Sequence, residues 1–176
     1  MRLLTVSAIG ADRPGIVAGV TGVLVAQGCN LEDTSMTILR GHFTMTMVVS
    51  SPVAEAELAD ALHDVGAALG LVVDVRALDD AADIGAAGDE YVVSVHGADH
   101  PGIVHAVAAL LARYEVNITD LTTRLVGKGV GALYVMTLDV EVPEAVRPTD
   151  LEAELRRTAD ALGVTATLHA ADADLL

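Results

Sequence analysis

Ile9-Gly10-Ala11-Asp12-Arg13-Pro14-Gly15-Ile16-Val17 returns 87 positions later as His96-Gly97-Ala98-Asp99-His100-Pro101-Gly102-Ile103-Val104. Extended without a gap, the comparison aligns residues 6–33 with 93–120, and 13 of the 28 positions are identical. Self-similarity at a fixed offset marks a repeated structural unit. Farther along, Cys29-Asn30-Leu31-Glu32-Asp33 answers Val116-Asn117-Ile118-Thr119-Asp120, and Phe43-Thr44-Met45-Thr46-Met47 answers Tyr134-Val135-Met136-Thr137-Leu138. Leu58, Leu62 and Leu69-Gly70 recur as Leu151, Leu155 and Leu162-Gly163. The repeat therefore predicts a first domain at 1–78 and a second at 90–170. Between them, 79–89 is small and acidic and reads as a linker, and 171–176 reads as an acidic tail.

Each unit predicts the same elements. Leu4, Val6 and Ala8 alternate with Thr5 and Ser7, as Tyr91, Val93 and Val95 do with their neighbours, which is strand periodicity. A helix is expected to open at Pro14 and at Pro101, because proline suits a first helical position whose N–H has no partner. Val17, Val20 and Leu24, and Val104, Val107 and Leu111, supply its apolar spacing. Two strands follow, near 30–39 and 43–50, with a longer hairpin loop at 127–131 in the second copy. A second helix is expected at 54–69 and 149–162, and a last strand at 71–77 and 164–169. The order βαββαβ, read twice, closes as an α+β fold. It predicts two ferredoxin-like units, each an antiparallel four-stranded sheet with both helices on one face. Met36, Met45 and Met47 fall on strand-period positions and are expected in the core. The rear face would carry Thr5, Ser7, Thr44, Thr46 and Val48, and Val92, Ser94, Val135 and Thr137. So few charges predict cover by the other unit or by another subunit, with a homodimer completing it.

Composition excludes several classes. With 10 Lys+Arg against 25 Asp+Glu the formal charge is −15, and the single lysine, Lys128, and nine arginines are scattered. Autonomous nucleic-acid binding needs a basic surface, and four aromatics, Phe43, Tyr91, Tyr114 and Tyr134, offer no base-stacking platform. No apolar run approaches the ~18–20 residues of a membrane span, and Met1–Ser7 reads as a strand rather than a signal peptide. Cys29 is the lone cysteine, so an intrachain disulfide is impossible and a reducing cytoplasm is the expected compartment.

The twice-repeated Asp-x-Pro-Gly turn is the sharpest chemical feature. Gly15 and Gly102 allow close approach of a ligand or a neighbouring backbone. The helix that follows presents free N–H groups at the positive end of its dipole, where a carboxylate can bind. Asp12 and Asp99 can accept from an ammonium, and Asn30 and Asn117, each 18 residues later, offer both donor and acceptor. Together these suit a zwitterion. The same residues also suit a helix cap, a tight turn and a strand start with no ligand. His96, Asp99, His100 and His105 are metal-compatible residue types. The first copy has Ile9, Arg13 and Ala18 where the second has His96, His100 and His105, so a repeated metal site is not expected. Cys29 lacks a base and is replaced by Val116, so nucleophilic catalysis is not expected either.

The βαββαβ unit, the Asp-Arg-Pro-Gly-Ile-Val and Asp-His-Pro-Gly-Ile-Val segments and the Asn 18 positions on resemble tandem ACT domains, across all but linker and tail. With no attached enzyme or DNA-binding domain, the chain is similar to the glycine cleavage system transcriptional repressor group. The resemblance implies a non-catalytic regulatory protein that senses an amino acid of the glycine or serine class. It also implies action through a protein partner, such as a transcription factor, with no cofactor and no metal. By motif, the implied ligand-binding positions are Asp12, Arg13, Gly15, Ile16, Asn30 and Leu31 in the first unit. In the second they are Asp99, His100, Gly102, Ile103, Asn117 and Ile118. Many serine-binding members carry Asn where this chain has Asp12 and Asp99. An assembly module without a ligand is the alternative reading, and an enzyme a more distant one.

Overall fold

The structure, a computed structural model, describes residues 1–78, 88–127 and 132–171. The first unit comprises β1 (Arg2–Ala11), α1 (Ile16–Ala26), β2 (Asn30–Leu39), β3 (His42–Ser51), α2 (Glu55–Leu69) and β4 (Leu71–Ala77). The second comprises β5 (Gly88–Ala98), α3 (Ile103–Arg113), β6 (Asn117–Val126), β7 (Leu133–Pro143), α4 (Pro148–Ala161) and β8 (Val164–Ala170). The sheets run β2-β3-β1-β4 and β6-β7-β5-β8, with every pairing antiparallel. Both units thus have the ferredoxin-like arrangement that the repeat predicts. The expected linker at 79–89 lies largely outside the described residues, and β5 already begins at Gly88. Of the hairpin loop, 128–131 lie outside them too, and of the tail only Ala171 is described, its N–H donating to the Glu90 carbonyl at 2.9 Å.

Each unit has its own core. In the first, Leu4, Val6 and Ala8 of β1 and Phe43, Met45, Met47 and Val49 of β3 meet Ile16, Val20 and Leu24 of α1 and Leu58 and Leu62 of α2. In the second, Val93, Val95, Met136 and Leu138 meet Ile103, Val107 and Leu111 of α3 and Leu151 and Leu155 of α4. Each Val, Leu, Ile, Phe or Met among them contributes about 1.5–3 kcal/mol on burial. Gly10 and Gly97 hold equivalent places beside the start of the last strand. A Cβ at Gly10 would lie 2.7 Å from the Gly70 oxygen, and one at Gly97 2.7 Å from Val164, so the close strand approach requires glycine. Among the described residues no helix is long and apolar enough to cross a membrane.

Three local expectations are corrected. The helices start at Ile16 and Ile103, not at the prolines, because Gly15 (φ 95°, ψ −8°) and Gly102 (φ 102°, ψ −11°) stand in a left-handed, non-helical conformation. Proline followed by a positive-φ glycine is the signature of a type II turn, which delays the helix. The buried series therefore begins at Ile16 and Ile103, while Val17 and Val104 point outward at 43% and 37% exposure. Met45 and Met47 are core, but Met36 is 49% exposed. It lies on β2, an edge strand exposed at all ten residues, so correct alternation there does not bring burial.

Candidate functional site

The Asp-x-Pro-Gly loops sit where β1 and β5 end. The Asp12 N–H donates to the Gly41 carbonyl at 2.8 Å, which ties the first loop to the β2–β3 hairpin. The first intrahelical bonds run from Gly19 N–H to the Gly15 carbonyl (2.8 Å) and from Ala106 N–H to the Gly102 carbonyl (2.9 Å). Neither helix receives a side-chain cap, so Asp12 and Asp99 do not occupy the N–H groups of the first turn. Asp12 and Asp99 are exposed, while Ile16 and Ile103 anchor the helix starts in the core at 2% exposure each. What remains is a pair of open helix N-termini, each flanked by a carboxylate. An anion finds donors and a favourable dipole there, and the aspartate can accept from an amine.

The position between Asp and Pro has a role that spacing alone did not reveal. The His100 Nε2 lies 2.7 Å from the Leu162 carbonyl, and its Nδ1 lies 3.1 Å from the Pro101 carbonyl. Only the imidazolium, with hydrogen on both ring nitrogens, can donate to both carbonyls together. The Pro101 and Leu162 carbonyls, with Asp99 nearby, hold His100 above the usual histidine range. Leu162 caps the C-terminus of α4, where a cation also meets the negative end of the helix dipole. Arg13 takes the corresponding place in the first unit. Its guanidinium lies over Gly70, the C-cap of α2, 3.2 Å from where a Cβ on that glycine would be. Both loops thus bring a cation to the end of the second helix, His100 within hydrogen-bond distance of a carbonyl there and Arg13 by proximity.

Sequence reasoning assigned no site role to Tyr134. It pairs with Gly97 in the ladder and answers Phe43 of the first unit. Burial, and then the Asp99 carboxylate, push its phenol above the ordinary tyrosine value. The hydroxyl therefore belongs to the neighbourhood of the second loop. The signal available in the sequence was the change from Phe43 to Tyr134 at an otherwise apolar position.

The two asparagines lie elsewhere. Asn30 pairs with Ser50, which pairs with Leu3, near the beginning of β1. The Asp12 loop follows Ala11, which pairs with His42 at the other end of the same strand. From Leu3 to Ala11 the strand covers about 25 Å at ~3.3 Å per residue. Asn117 likewise pairs with Glu141, which pairs with Glu90, while the Asp99 loop follows Ala98, paired with Leu133 at the far end. Asp12, Arg13, Gly15 and Ile16 form one group and Asn30 with Leu31 another; Asp99, His100, Gly102 and Ile103 are similarly apart from Asn117 with Ile118. Within one unit no amino acid reaches both groups. The Asn117 Nδ2 already donates to the Glu141 Oε2 at 3.1 Å on the rear face of the sheet. On that face a groove of about 360 Å³ is lined by Asp120, Thr122, Arg124, Val135 and Thr137. Among the described residues no three His, Cys, Asp or Glu side chains are gathered so as to hold a metal ion. Cys29 is half-buried, its Sγ 3.4 Å from the Ser51 Oγ.

The ACT domain, as a family model, matches residues 2–76 and again 90–169. Over 79 residues, 43% of this chain and 88% of the relative, the chain is 43% identical to a UPF0237 protein of Methanopyrus kandleri. It is 32% identical over 122 residues to the glycine cleavage system transcriptional repressor of Escherichia coli (strain K12), a match covering 69% of this chain and 64% of that protein. A solved structure from Galdieria sulphuraria superposes with a TM-score of 0.81 at 29% identity, covering 97% of this chain and 98% of that one.

Proposed function

The chain belongs to the ACT-domain family, carrying that domain twice, and from this premise we propose that it is a non-catalytic regulator that senses a small amino acid of the glycine or serine class. It acts through a protein partner, in the transcriptional regulation of amino-acid metabolism. The observation that carries the reading is the duplicated loop: two uncapped helix starts, each beside an exposed aspartate and each with a cation, Arg13 or His100, set at the C-terminal end of the unit's second helix. A ligand carboxylate meets the N–H groups of the first turn, and its ammonium meets Asp12 or Asp99. Kinship with a protein described as a transcriptional repressor supports the regulatory half of the reading. A homodimer is part of it, because β2 and β6 are exposed sheet edges.

A thermal-shift screen against the twenty amino acids tests the sensing half. A ligand at ~100 times its Kd stabilises the folded state by about 2.7 kcal/mol, a clear rise in midpoint. Calorimetry on Asp12→Ala and Asp99→Ala then asks which loop binds it. A chain indifferent to all twenty is an assembly module rather than a sensor.

A further inference from the structure

We propose that the groove between α2 and β4 of the first unit receives an extended segment of a protein partner, which adds to β4 as a further strand and carries an aliphatic side chain between basic flanks. This rests on the partner half of the reading above and does not depend on what is sensed. The groove has a volume of about 260 Å³ and is lined by Ala59, His63, Gly66, Ala67, Leu71 and Val73. β4 is a free edge of its sheet, with β1 as its one neighbour. Two hydrogen bonds show which way its backbone faces. The Leu78 N–H donates to the Leu3 carbonyl at 3.0 Å, toward β1, whereas the Ala77 N–H donates to the Glu55 Oε2 of α2, also at 3.0 Å. Backbone groups of an antiparallel strand alternate in direction. Leu71 and Val73 therefore present N–H and C=O on the same side as Ala77, away from β1, and have no backbone partner there among the described residues. The edge is closed at Ala77 and open beside the groove. An unpaired edge is a template for another strand, and a pocket next to it takes that strand's alternate side chains.

The two copies differ at this surface. Where α2 has Ala59, His63 and Ala67, α4 has Glu152, Arg156 and Asp160, and the Arg156 Nη2 donates to the Glu152 Oε1 at 2.8 Å. Gly66 is answered by Ala159. A Cβ at Gly66 would lie 3.1 Å from the Val73 Cγ2 and 3.5 Å from the Leu71 oxygen, so glycine leaves the space beside the free edge open. The first copy thus lacks both the charges and the volume that the second sets at the same place.

Charge selects the occupant. α2 exposes Glu55, Glu57, Asp60 and Asp64, carries no Lys or Arg, and makes no ion pair among the described residues. The one cation of β4, Arg76, already pairs with Asp74 at 2.7 Å. An apolar groove beside an acidic helix suits an aliphatic side chain flanked by Lys or Arg. A second copy of β4 suits it poorly. Antiparallel self-pairing centred on Asp74 sets like charges opposite each other, and centred on Val75 it meets Glu55 at the Ala77 N–H. Any centre brings two acidic α2 helices side by side.

A library of random short peptides displayed on phage and panned on the immobilised full chain supplies the probe. Enriched peptides should carry Val, Ile or Leu between Lys or Arg residues. Synthesised with a fluorescent label, they should bind the wild type in anisotropy titrations and bind Ala59→Glu/His63→Arg roughly tenfold more weakly or worse. That double variant installs the pair that the second unit has at this place, and urea unfolding checks that it folds. A second measurement needs no protein variant. Single N-methyl groups moved along the peptide should abolish binding at every second residue, because only alternate N–H groups of an added strand face β4. A library that yields no enriched peptide overturns the groove, as does a loss that does not alternate along the peptide. Enriched peptides that bind the double variant as well as the wild type also overturn it, but leave the partner half of the functional reading standing with its contact elsewhere. The sensing half stands or falls on the thermal-shift screen alone.

Discussion

At the scale of single residues, the repeat uses two chemistries for one task. Arg13 and His100 occupy equivalent positions, and each brings a cation to the C-terminal end of the helix that follows the hairpin. Arginine stays charged at any accessible pH, whereas histidine does not. Because His100 is raised in the folded state by the carbonyls of Pro101 and Leu162, its contribution is complete below the unfolded-state value of ~6.5. That contribution is lost as the pH rises through the higher folded value. We therefore expect an NMR titration of the His100 ring to show a midpoint above 6.5. The stability gap between wild type and His100→Ala, read by urea unfolding, should be widest near pH 6 and shrink toward pH 8. A gap that stays constant across that range would mean the imidazolium is not what ties the loop down. Nothing in the first unit should titrate in this way, because Arg13 stands in its place.

At the scale of elements, packing rather than local propensity sets the cost of a change. Leu62 of α2 and Leu155 of α4 are 0% and 1% exposed, and truncating either to alanine should cost about 2–5 kcal/mol in urea unfolding. Val25, 75% exposed on α1, should change stability by no more than about 0.5 kcal/mol when truncated. Similar losses at both kinds of position would mean that the cores are not where the burial puts them. The leucine repeat was legible because both helices carry it at the same spacing. The start of α1 was not, because proline at a first helical position and proline in a turn before the helix look alike until the conformation of Gly15 is known. Met36 shows a second limit: alternation identifies the face a side chain is on, but not whether a helix covers that face. The division of the candidate site follows from connectivity. α1 intervenes between the Asp12 loop and Asn30, and its 11 residues carry the chain about 16 Å back along the sheet. Eighteen positions of sequence thus become opposite ends of one layer. Residue types alone suggested convergence, and the strand register shows separation.

At the scale of the whole molecule, charge decides which partners are accessible. The chain carries −15, and its ten basic residues include Arg76, Arg147, Arg156 and Arg157, which already lie within 4 Å of Asp74, Asp150, Glu152 and Glu154 respectively. Such exposed pairs add little stability, but they leave fewer free cations to meet phosphate. Arg13 and His100 are turned to helix ends. Duplex binding without base contacts rests on displacing counterions from several phosphates, and its affinity falls steeply as salt rises. An acidic surface instead repels the duplex, and more strongly as salt is lowered and screening weakens. The purified protein should therefore leave the fluorescence anisotropy of a labelled duplex unchanged at physiological ionic strength, and equally at roughly a third of it, about 50 mM. The choice of two salts matters, since weak basic contacts hidden at the higher concentration would emerge at the lower. Adding an amino acid that gives a thermal shift should not change this result, because a ligand in the proposed loops supplies no basic surface. Tight binding with a steep salt dependence would place the regulatory contact on nucleic acid, and would remove the protein partner from the proposed function.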